Sequence, residues 1–198
     1  MNKAVIVDYE SGNLRSVANM LTFLGIDFEI TSEPNKILNA SKIIFPGQGH
    51  FAQAMNNLKR KGLDDVIREC SINKDIPFLG ICIGLQILFE KSEEAVGVDG
   101  LGIFKGEVKK FTKGKVPQVG WNKVIPACET SNIPEDYFYF VNSYYVKPED
   151  ETIISSTCDY NGIFCSSVQK NNVTAVQFHP EKSAKAGLIF FKNWIDNK

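Results

Sequence analysis

Short apolar runs alternate with segments of helical periodicity through the first half of the chain, and this alternation constrains the fold more than any other feature. Three runs, at residues 4–7, 42–45 and 77–81, are rich in apolar residues. Such runs are typical of strands that are buried on both faces of a parallel sheet. A further strand is predicted at residues 27–30. The strand–helix order predicts an α/β protein of the flavodoxin-like, doubly wound kind, with a mostly parallel sheet flanked by helices.

Helices are predicted between these strands from the spacing of apolar residues. From Leu14 onward, apolar residues recur at helical spacing, and Gly25 supplies the expected C-terminal stop. Residues 51–72 carry two helical segments that break at Gly62, and residues 84–91 predict a helix after the strand at 77–81. These helices would cover the two faces of the sheet.

The second half of the chain predicts a different kind of sheet. Several short runs rich in β-branched and aromatic residues are separated by turn residues, and the sequence DYNG at 159–162 resembles a hairpin turn. We expect an antiparallel β extension of the parallel sheet, followed by a helix at about residues 186–196. Since no repeat, low-complexity stretch or linker interrupts the chain, one domain is expected over residues 1–198.

Composition and charge argue against several classes of function. The net charge is −1 at pH 7, so the chain has no overall basic field of the kind that binds nucleic acid. The apolar runs are too short to span a membrane, and the N-terminus lacks a signal-peptide pattern. We therefore expect a cytoplasmic location, without a nucleic-acid or membrane partner.

The cysteines and histidines do not form a metal-binding pattern. The five cysteines are odd in number and include no C-x-x-C pair, so neither a disulfide framework nor a zinc site is indicated. The two histidines, His50 and His179, are not close in sequence to a second pair of ligands. No metal site is expected.

Cys82 lies in a Gly-x-Cys-x-Gly frame between an apolar strand and a helix-like run. One interpretation is a small buried hydrophobe, since free cysteine is among the most buried residue types. The other is a nucleophile on a sharp strand-to-helix turn, where Gly80 and Gly84 relieve crowding. Such a turn lies at the carboxyl edge of a parallel sheet, where ligands bind, and a helix N-terminus stabilises a thiolate. The frame alone leaves both interpretations open.

A cysteine nucleophile needs a base, and His179 is the better placed of the two histidines. It directly follows a predicted buried strand, and Glu181 comes two residues later. Pro180 between them restricts the backbone and so fixes the spacing of imidazole and carboxylate. A carboxylate that orients a histidine, which in turn activates a cysteine, is the arrangement of a catalytic triad.

These motifs resemble the class I, or triad, glutamine amidotransferases. The nucleophile motif G-x-C-x-G-x-Q reads GICIGLQ here, and the second motif, H-P-E, reads FHPEKS. Four further stretches, DYESGNLRSV, PGQGHF, VGWN and FVNSY, resemble one branch of the family. That branch comprises the glutaminase subunits of imidazole glycerol phosphate synthase, in histidine biosynthesis. The matches run in order from Asp8 to Ser183.

The resemblance implies a fold, a reaction and site residues. The fold would be that of class I glutamine amidotransferases, and glutamine would be hydrolysed to glutamate and ammonia through a cysteine thioester, without a cofactor. The implied catalytic residues are Cys82, His179 and Glu181. The implied oxyanion site comprises the Gly47–Gln48 peptide and the Ile83 N–H, and the implied glutamine-binding residues are Gln86, Ser143 and Tyr144.

The resemblance also implies a partner chain. In this branch the ammonia passes to a (β/α)₈-barrel synthase subunit, a cyclase, with which the glutaminase forms a heterodimer. The residues that match positions at or near that interface are Asn13, Trp121, Asn122 and Lys182.

Four residues depart from the branch's usual pattern. Gln118 and Asn142 each replace a histidine, and Gln48 and His50 replace small or apolar residues in the glycine turn. All four are expected near the mouth of the site, where the synthase would dock. The identity of the ammonia acceptor is therefore less constrained by the sequence than the glutaminase chemistry.

Three alternatives differ in what the site does. A related glutaminase could supply ammonia to a sugar-amidating enzyme, and a cysteine hydrolase of the same fold would need no partner. A catalytically silent binding module of flavodoxin type would not need cysteine, histidine and glutamate in register. A phosphate-binding enzyme is unsupported, because neither phosphate-loop motif occurs.

Overall fold

The structure, a computed structural model, describes residues 3–129 and 131–196. Within these residues twelve strands form a single sheet. The strands are β1 (Ala4–Val7), β2 (Phe28–Thr31), β3 (Lys42–Phe45), β4 (Phe78–Ile81), β5 (Lys91–Ser92), β6 (Gly106–Lys110), β7 (Gln118–Pro126), β8 (Asp136–Asn142), β9 (Tyr144–Pro148), β10 (Ile154–Asp159), β11 (Ile163–Lys170) and β12 (Val173–Val176). The α-helices are α1 (Leu14–Phe23), α2 (Pro34–Leu38), α3 (Phe51–Lys61), α4 (Asp64–Ile72), α5 (Ile83–Gln86) and α6 (Ala184–Asp196).

The predicted parallel sheet is confirmed. Its order is β2-β1-β3-β4-β12, and each neighbouring pair is parallel. Strands β1, β4 and β12 are buried at every residue, as their continuous apolar sequences predict. Because β4 and β12 are parallel neighbours, the residues that follow them meet at one edge of the sheet.

Helices cover both faces of this sheet and enclose two cores. On one face, α3 and α4 bury residues such as Met55 and Ile67 with the odd-numbered valines of β1. On the other face, α1 and α6 bury Val17 and Phe190 with Ile6. The alternation along β1 follows from the two-residue period of a strand.

The predicted antiparallel extension is also confirmed. It begins where β12 pairs with β11, and it continues through β10, β7 and β8. The β10–β11 hairpin turns at Asn161 and Gly162, which both have positive φ, as the Asn-Gly sequence predicts. Strand β9 follows β8 in the chain and pairs with β6.

The prediction of a helix at 84–91 is wrong. Helix α5 is a single turn. The carbonyl groups of residues 87–90, which follow it, accept hydrogen bonds from the N–H groups of residues 100–104. The N–H of Leu101 bonds the Ile87 carbonyl at 2.8 Å, and that of Ile103 bonds the Leu88 carbonyl at 2.8 Å. Ile87, Leu88 and Phe89 are completely buried, so their apolar character reflects burial from several sides rather than one helix face. Helix α2 was not predicted.

Candidate active site

Cys82 occupies the sharp turn between β4 and α5. Its backbone has φ 56° and ψ −108°, a strained combination for a residue with a side chain. A Cβ atom on Gly84 would lie 2.1 Å from the Phe45 carbonyl oxygen, and one on Gly80 would lie 2.8 Å from the Gly84 oxygen. Both glycines are therefore required by close backbone approach. The turn leaves the Cys82 side chain at the wall of a surface cavity, with 7% of the residue exposed.

His179 follows β12 and is held next to this turn by its main chain. Its N–H bonds the Tyr139 carbonyl in β8 at 2.8 Å, and its carbonyl accepts the Ser183 hydroxyl at 2.7 Å. The imidazole Nδ1 lies 2.7 Å from Oε1 of Glu181. Since Nδ1 is engaged by the carboxylate, Nε2 is the ring nitrogen left to exchange a proton with Cys82.

The electrostatics of His179 reflect two opposing effects. Burial acts to lower the pKa of the imidazole, but the adjacent Cys82 and Glu181 raise it to about 10. The histidine side chain is 2% exposed and that of Glu181 is fully buried. An imidazolium between a sulfur and a carboxylate is therefore the stabilised form in this environment.

Asn13 contributes a further contact to this arrangement. Its side-chain amide donates to Oε1 of Glu181, the same oxygen that accepts from His179. Asn13 is the N-cap residue of α1 with φ 80°, yet its side chain makes no capping hydrogen bond. An asparagine at this position commonly caps the helix. Here the Asn13 side chain instead contacts the Glu181 carboxylate.

The residues expected at the oxyanion site also converge. Ile83 is the first residue of α5, where a helix N–H has no intrahelical partner. Gly47 packs directly against it, because a Cβ on Gly47 would lie 2.1 Å from the Ile83 side chain and 2.2 Å from the Tyr9 hydroxyl. Gln48 follows at the cavity wall. The glycine is needed because no side chain fits between Ile83 and Tyr9.

A cavity of about 300 Å³ opens above Cys82. Its walls include the predicted Gln86, Ser143 and Tyr144. The lining residues are Gln48, Gly49, Cys82, Ile83, Gln86, Glu94, Pro117, Val141, Asn142, Ser143, Tyr144, His179 and Lys182.

Sequence reasoning missed Glu94 and Gln177 at this site. Glu94 lines the cavity and accepts the Phe51 N–H, at the start of α3, at 2.7 Å. Gln177 is completely buried, and its amide Nε2 lies 3.7 Å from the Cys82 sulfur. No motif marks Glu94. Gln177 lies two residues before His179, so the period of a strand could have placed the two side chains on one side.

The residues expected at a partner interface lie on two surfaces near the cavity. Trp121 is 50% exposed on β7, and its ring stands edge-on to Tyr139 of β8 at 5.9 Å. Asn122 follows it and is half-buried, and Lys182 is exposed at the cavity wall. Asn13 contacts Glu181, the residue that precedes Lys182 in the chain.

The four departures expected near the mouth divide into two that line the cavity and two, Gln118 and His50, that adjoin the lining residues Pro117 and Gly49. Gln48 and Asn142 line the cavity. Gln118 is 1% exposed, because its side chain points into the protein from β7. His50 is turned to α3, where its imidazole Nδ1 accepts the Ala52 N–H and caps the helix.

Two absences hold for the residues that the structure describes. Between residues 3 and 196, with residue 130 left aside, no group of three or more potential ligands among His, Cys, Asp and Glu could hold a metal ion. No helix within the same ranges has the length and apolar character needed to cross a membrane.

Comparison with known protein families identifies the family to which the chain belongs. The family model for glutamine amidotransferase class-I matches residues 5–196. The chain belongs to the class-I glutamine amidotransferases. Cys82, His179 and Glu181 of this amidotransferase all lie within the part of the chain that the family model matches.

Two curated relatives resemble the amidotransferase over almost its whole length. The imidazole glycerol phosphate synthase subunit HisH of Acinetobacter baylyi is 45% identical, over 99% of this chain and 98% of that subunit. The imidazole glycerol phosphate synthase hisHF of Arabidopsis thaliana, a chloroplastic protein, is 44% identical over 98% of this chain. The match covers 34% of the plant protein, so the amidotransferase corresponds to one part of it.

Solved structures support the fold assignment. The structure of PurLQS from Thermotoga maritima superposes with a TM-score of 0.78, covering 98% of each chain at 17% identity. A crystal structure of a glutamine amidotransferase gives a TM-score of 0.77 at 18% identity, over 96% of this chain and 98% of the other. The predicted α/β fold with its antiparallel extension is thus confirmed as that of the amidotransferase family.

Proposed function

We propose that the chain is the glutaminase subunit of an imidazole glycerol phosphate synthase, with Cys82 as its nucleophile. The observation that carries this proposal is the sequence of contacts from the Cys82 sulfur through His179 to Glu181 at the wall of the cavity. The full-length similarity to HisH supports the choice of synthase.

The first half of the reaction forms a thioester. The Cys82 sulfur attacks the side-chain carboxamide carbon of glutamine, and the carbonyl π electrons move to the oxygen. When this tetrahedral intermediate collapses, the C–N bond breaks and the leaving nitrogen takes the proton held at His179 Nε2. Ammonia leaves, and the γ-glutamyl group remains on sulfur.

The second half hydrolyses the thioester. Neutral His179 removes a proton from water as the water oxygen bonds to the same carbon. Collapse of the second intermediate breaks the C–S bond and returns the electron pair to sulfur. Glutamate leaves, and Cys82 again faces a protonated His179, which Glu181 stabilises through Nδ1.

Both intermediates carry a negative oxygen that needs hydrogen-bond donors. We assign this role to the Ile83 N–H and to an N–H of the Gly47–Gln48 peptide, because Ile83 and Gln48 line the cavity together with Cys82. One such donor is typically worth about 10²–10³ in rate. Gly47 packs against the Ile83 side chain, so the two peptide segments that would supply these donors are adjacent.

The cavity can also hold the amino-acid end of glutamine. Gln86, Ser143 and Tyr144 supply amide, hydroxyl and main-chain groups, as the family resemblance implied. Glu94 adds a carboxylate, one oxygen of which is held by the Phe51 N–H. We assign the Glu94 carboxylate to binding the α-ammonium group of glutamine, because a carboxylate on a cavity wall selects a cationic ligand.

The partner is a (β/α)₈-barrel synthase subunit that receives the ammonia. A surface of aromatic and aliphatic residues on β7 and β8 lies beside the cavity and suits such a partner. Trp121 opposes Tyr139 across the strands, and Val119 opposes Val141. Val119 is 58% exposed, and Val141 also lines the cavity. Docking here would cover the cavity mouth.

The test of the proposed function uses Cys82→Ala with the cognate synthase subunit. Glutamate release should fall to background, while synthesis of imidazole glycerol phosphate from added ammonia continues. Cys165→Ala is the matched control, because Cys165 is also buried but lies on β11. Substantial glutamine turnover by Cys82→Ala would contradict the nucleophile assignment.

A sugar-amidating acceptor is the second candidate, since Gln48 and Asn142 change the usual cavity lining. A pull-down from the source organism distinguishes the two. Recovery of the barrel cyclase supports the histidine pathway, and recovery of an amidating enzyme without the cyclase overturns it.

A further inference from the structure

Two buried glutamines connect the cavity wall to the Cys82 sulfur. Gln86 Nε2 lies 3.2 Å from the Tyr144 carbonyl oxygen and 3.0 Å from Oε1 of Gln177. Gln177 Nε2 lies 3.7 Å from the Cys82 sulfur. Gln86 is 4% exposed and Gln177 is completely buried. The contacts therefore form a continuous chain from a fixed main-chain carbonyl to the reacting atom.

The carbonyl determines the direction of every hydrogen bond in this chain. A main-chain carbonyl oxygen only accepts, so the end of Gln86 that faces Tyr144 must be its NH₂ group. The same NH₂ group faces Gln177, which must therefore present its oxygen. The remaining NH₂ of Gln177 is thereby directed at the sulfur. The polarity at Cys82 follows from the network rather than from an arbitrary choice of amide orientation.

We infer that Gln177 is a catalytic residue, which donates its amide N–H to the Cys82 sulfur and is held in that orientation by Gln86. The inference rests on the proposed function and extends it. A donor stabilises sulfur when it carries negative charge, before attack and again as the C–S bond breaks. Thioester breakdown should therefore depend on Gln177, because the electron pair of that bond returns to sulfur.

The decisive variant is Gln177→Met, which keeps a similar volume and removes the amide. In the complex with the synthase subunit, we expect kcat for glutamine to fall about tenfold or more, the range expected when a charged group loses a hydrogen bond. KM should change little. The γ-glutamyl thioester should accumulate at steady state, as measured by mass spectrometry after acid quench.

A second measurement does not depend on glutamine turnover. Iodoacetamide alkylation of Cys82, followed by peptide mass spectrometry, should reach its half-maximal rate at a higher pH in Gln177→Met than in the native chain. Gln169→Met is the matched control, since Gln169 lies on β11 away from the cavity and should leave both readouts unchanged. Thermal unfolding of both variants checks that each remains folded.

Each outcome is decisive. Slower turnover with accumulated thioester and a shifted alkylation profile supports the inference. Native turnover in Gln177→Met overturns it. Slow turnover without thioester and with an unchanged alkylation profile assigns Gln177 to packing and also overturns it. Failure of the native complex to turn over glutamine would instead count against the proposed function, and the alkylation profiles would still report on Gln177.

Discussion

Gln118 and Asn142 lie opposite each other on β7 and β8, and both side chains are buried. Asn142 donates to the Tyr144 carbonyl at 3.0 Å, but its oxygen has no hydrogen-bond partner within the described residues. Both polar atoms of Gln118 lack a nitrogen or oxygen partner there, which leaves the Cys158 thiol beside them. The Cys158 thiol is close to Gln118, and burial raises the pKa of that thiol to about 12. A thiol is a weak hydrogen-bond partner for an amide.

Replacing Gln118 by methionine should stabilise the protein. Methionine has a similar volume and leaves no buried amide unpaired, and an unsatisfied buried polar group costs about 1–3 kcal/mol. The free energy of unfolding, measured by urea denaturation, should rise by about 1 kcal/mol or more. Gln169→Met, at a half-buried position on β11, provides the comparison. An equal or lower free energy of unfolding in Gln118→Met would show that the amide finds partners in solution.

Asn13→Gly should weaken the active site without straining the backbone. Glycine accepts φ 80° readily, while the hydrogen bond to Glu181 is lost. The carboxylate is then held less firmly against the imidazole, so the titration of His179 should shift and kcat should fall about tenfold. Histidine NMR measures the first effect, and the chain contains just two histidines to assign.

The matched control for this variant is Asn161→Gly. Asn161 also has positive φ, at 58°, but it lies in the β10–β11 hairpin. It should leave the His179 titration and the glutaminase rate as in the native chain. If Asn13→Gly behaves like Asn161→Gly, then Asn13 does not position Glu181.

The stability of the protein should depend on pH through His179. Its pKa rises from 6.5 in the unfolded chain to about 10 in the folded protein. A raised pKa contributes stability that is fully present below pH 6.5 and is lost as pH rises toward 10. Burial raises the pKa of Cys70 to about 11 and that of Cys165 to about 12, so these thiols add their own pH dependence as they titrate lower in the unfolded chain. The comparison must therefore be with His179→Gln, which keeps the thiols. The difference in the free energy of unfolding between the native chain and this variant should shrink between pH 6.5 and pH 10. A constant difference would show that the imidazole is not stabilised in its charged form.

The sequence predicted those parts of the site that local chemistry defines. The glycines around Cys82 predicted a strained turn. The structure gives the reason, since a Cβ at Gly84 would collide with the Phe45 carbonyl. His179 and Glu181 were predicted because a two-residue spacing across a proline nearly determines their geometry. The parallel strands were predicted because their apolar runs have no other stable environment.

The rest of the site depends on contacts between distant parts of the chain. Gln177 reaches Gln86 across 91 positions, and Asn13 reaches Glu181 across 168. Helix α5 is shorter than predicted because the carbonyls of the segment that follows it accept from the N–H groups of residues 100–104. Hydrophobic periodicity contains no information about such pairings, which explains why Asn13 was predicted only as an interface residue.

The exposed face of β7 and β8 should be needed for docking of the synthase subunit. Trp121 combines a large apolar ring with 50% exposure, and tryptophan is enriched among residues that dominate binding energy. Trp121→Ala should raise the Kd for the synthase subunit about tenfold or more, as measured by calorimetric titration. Ile125→Ala is the matched control, because Ile125 lies on the same face of β7, is 47% exposed and is farther from the cavity. Similar Kd values for both variants and the native chain would place the docking surface elsewhere. Because the ring contact of Trp121 is with the Tyr139 ring rather than with Cys82, His179 or Glu181, saturating synthase subunit should restore the glutaminase rate of Trp121→Ala.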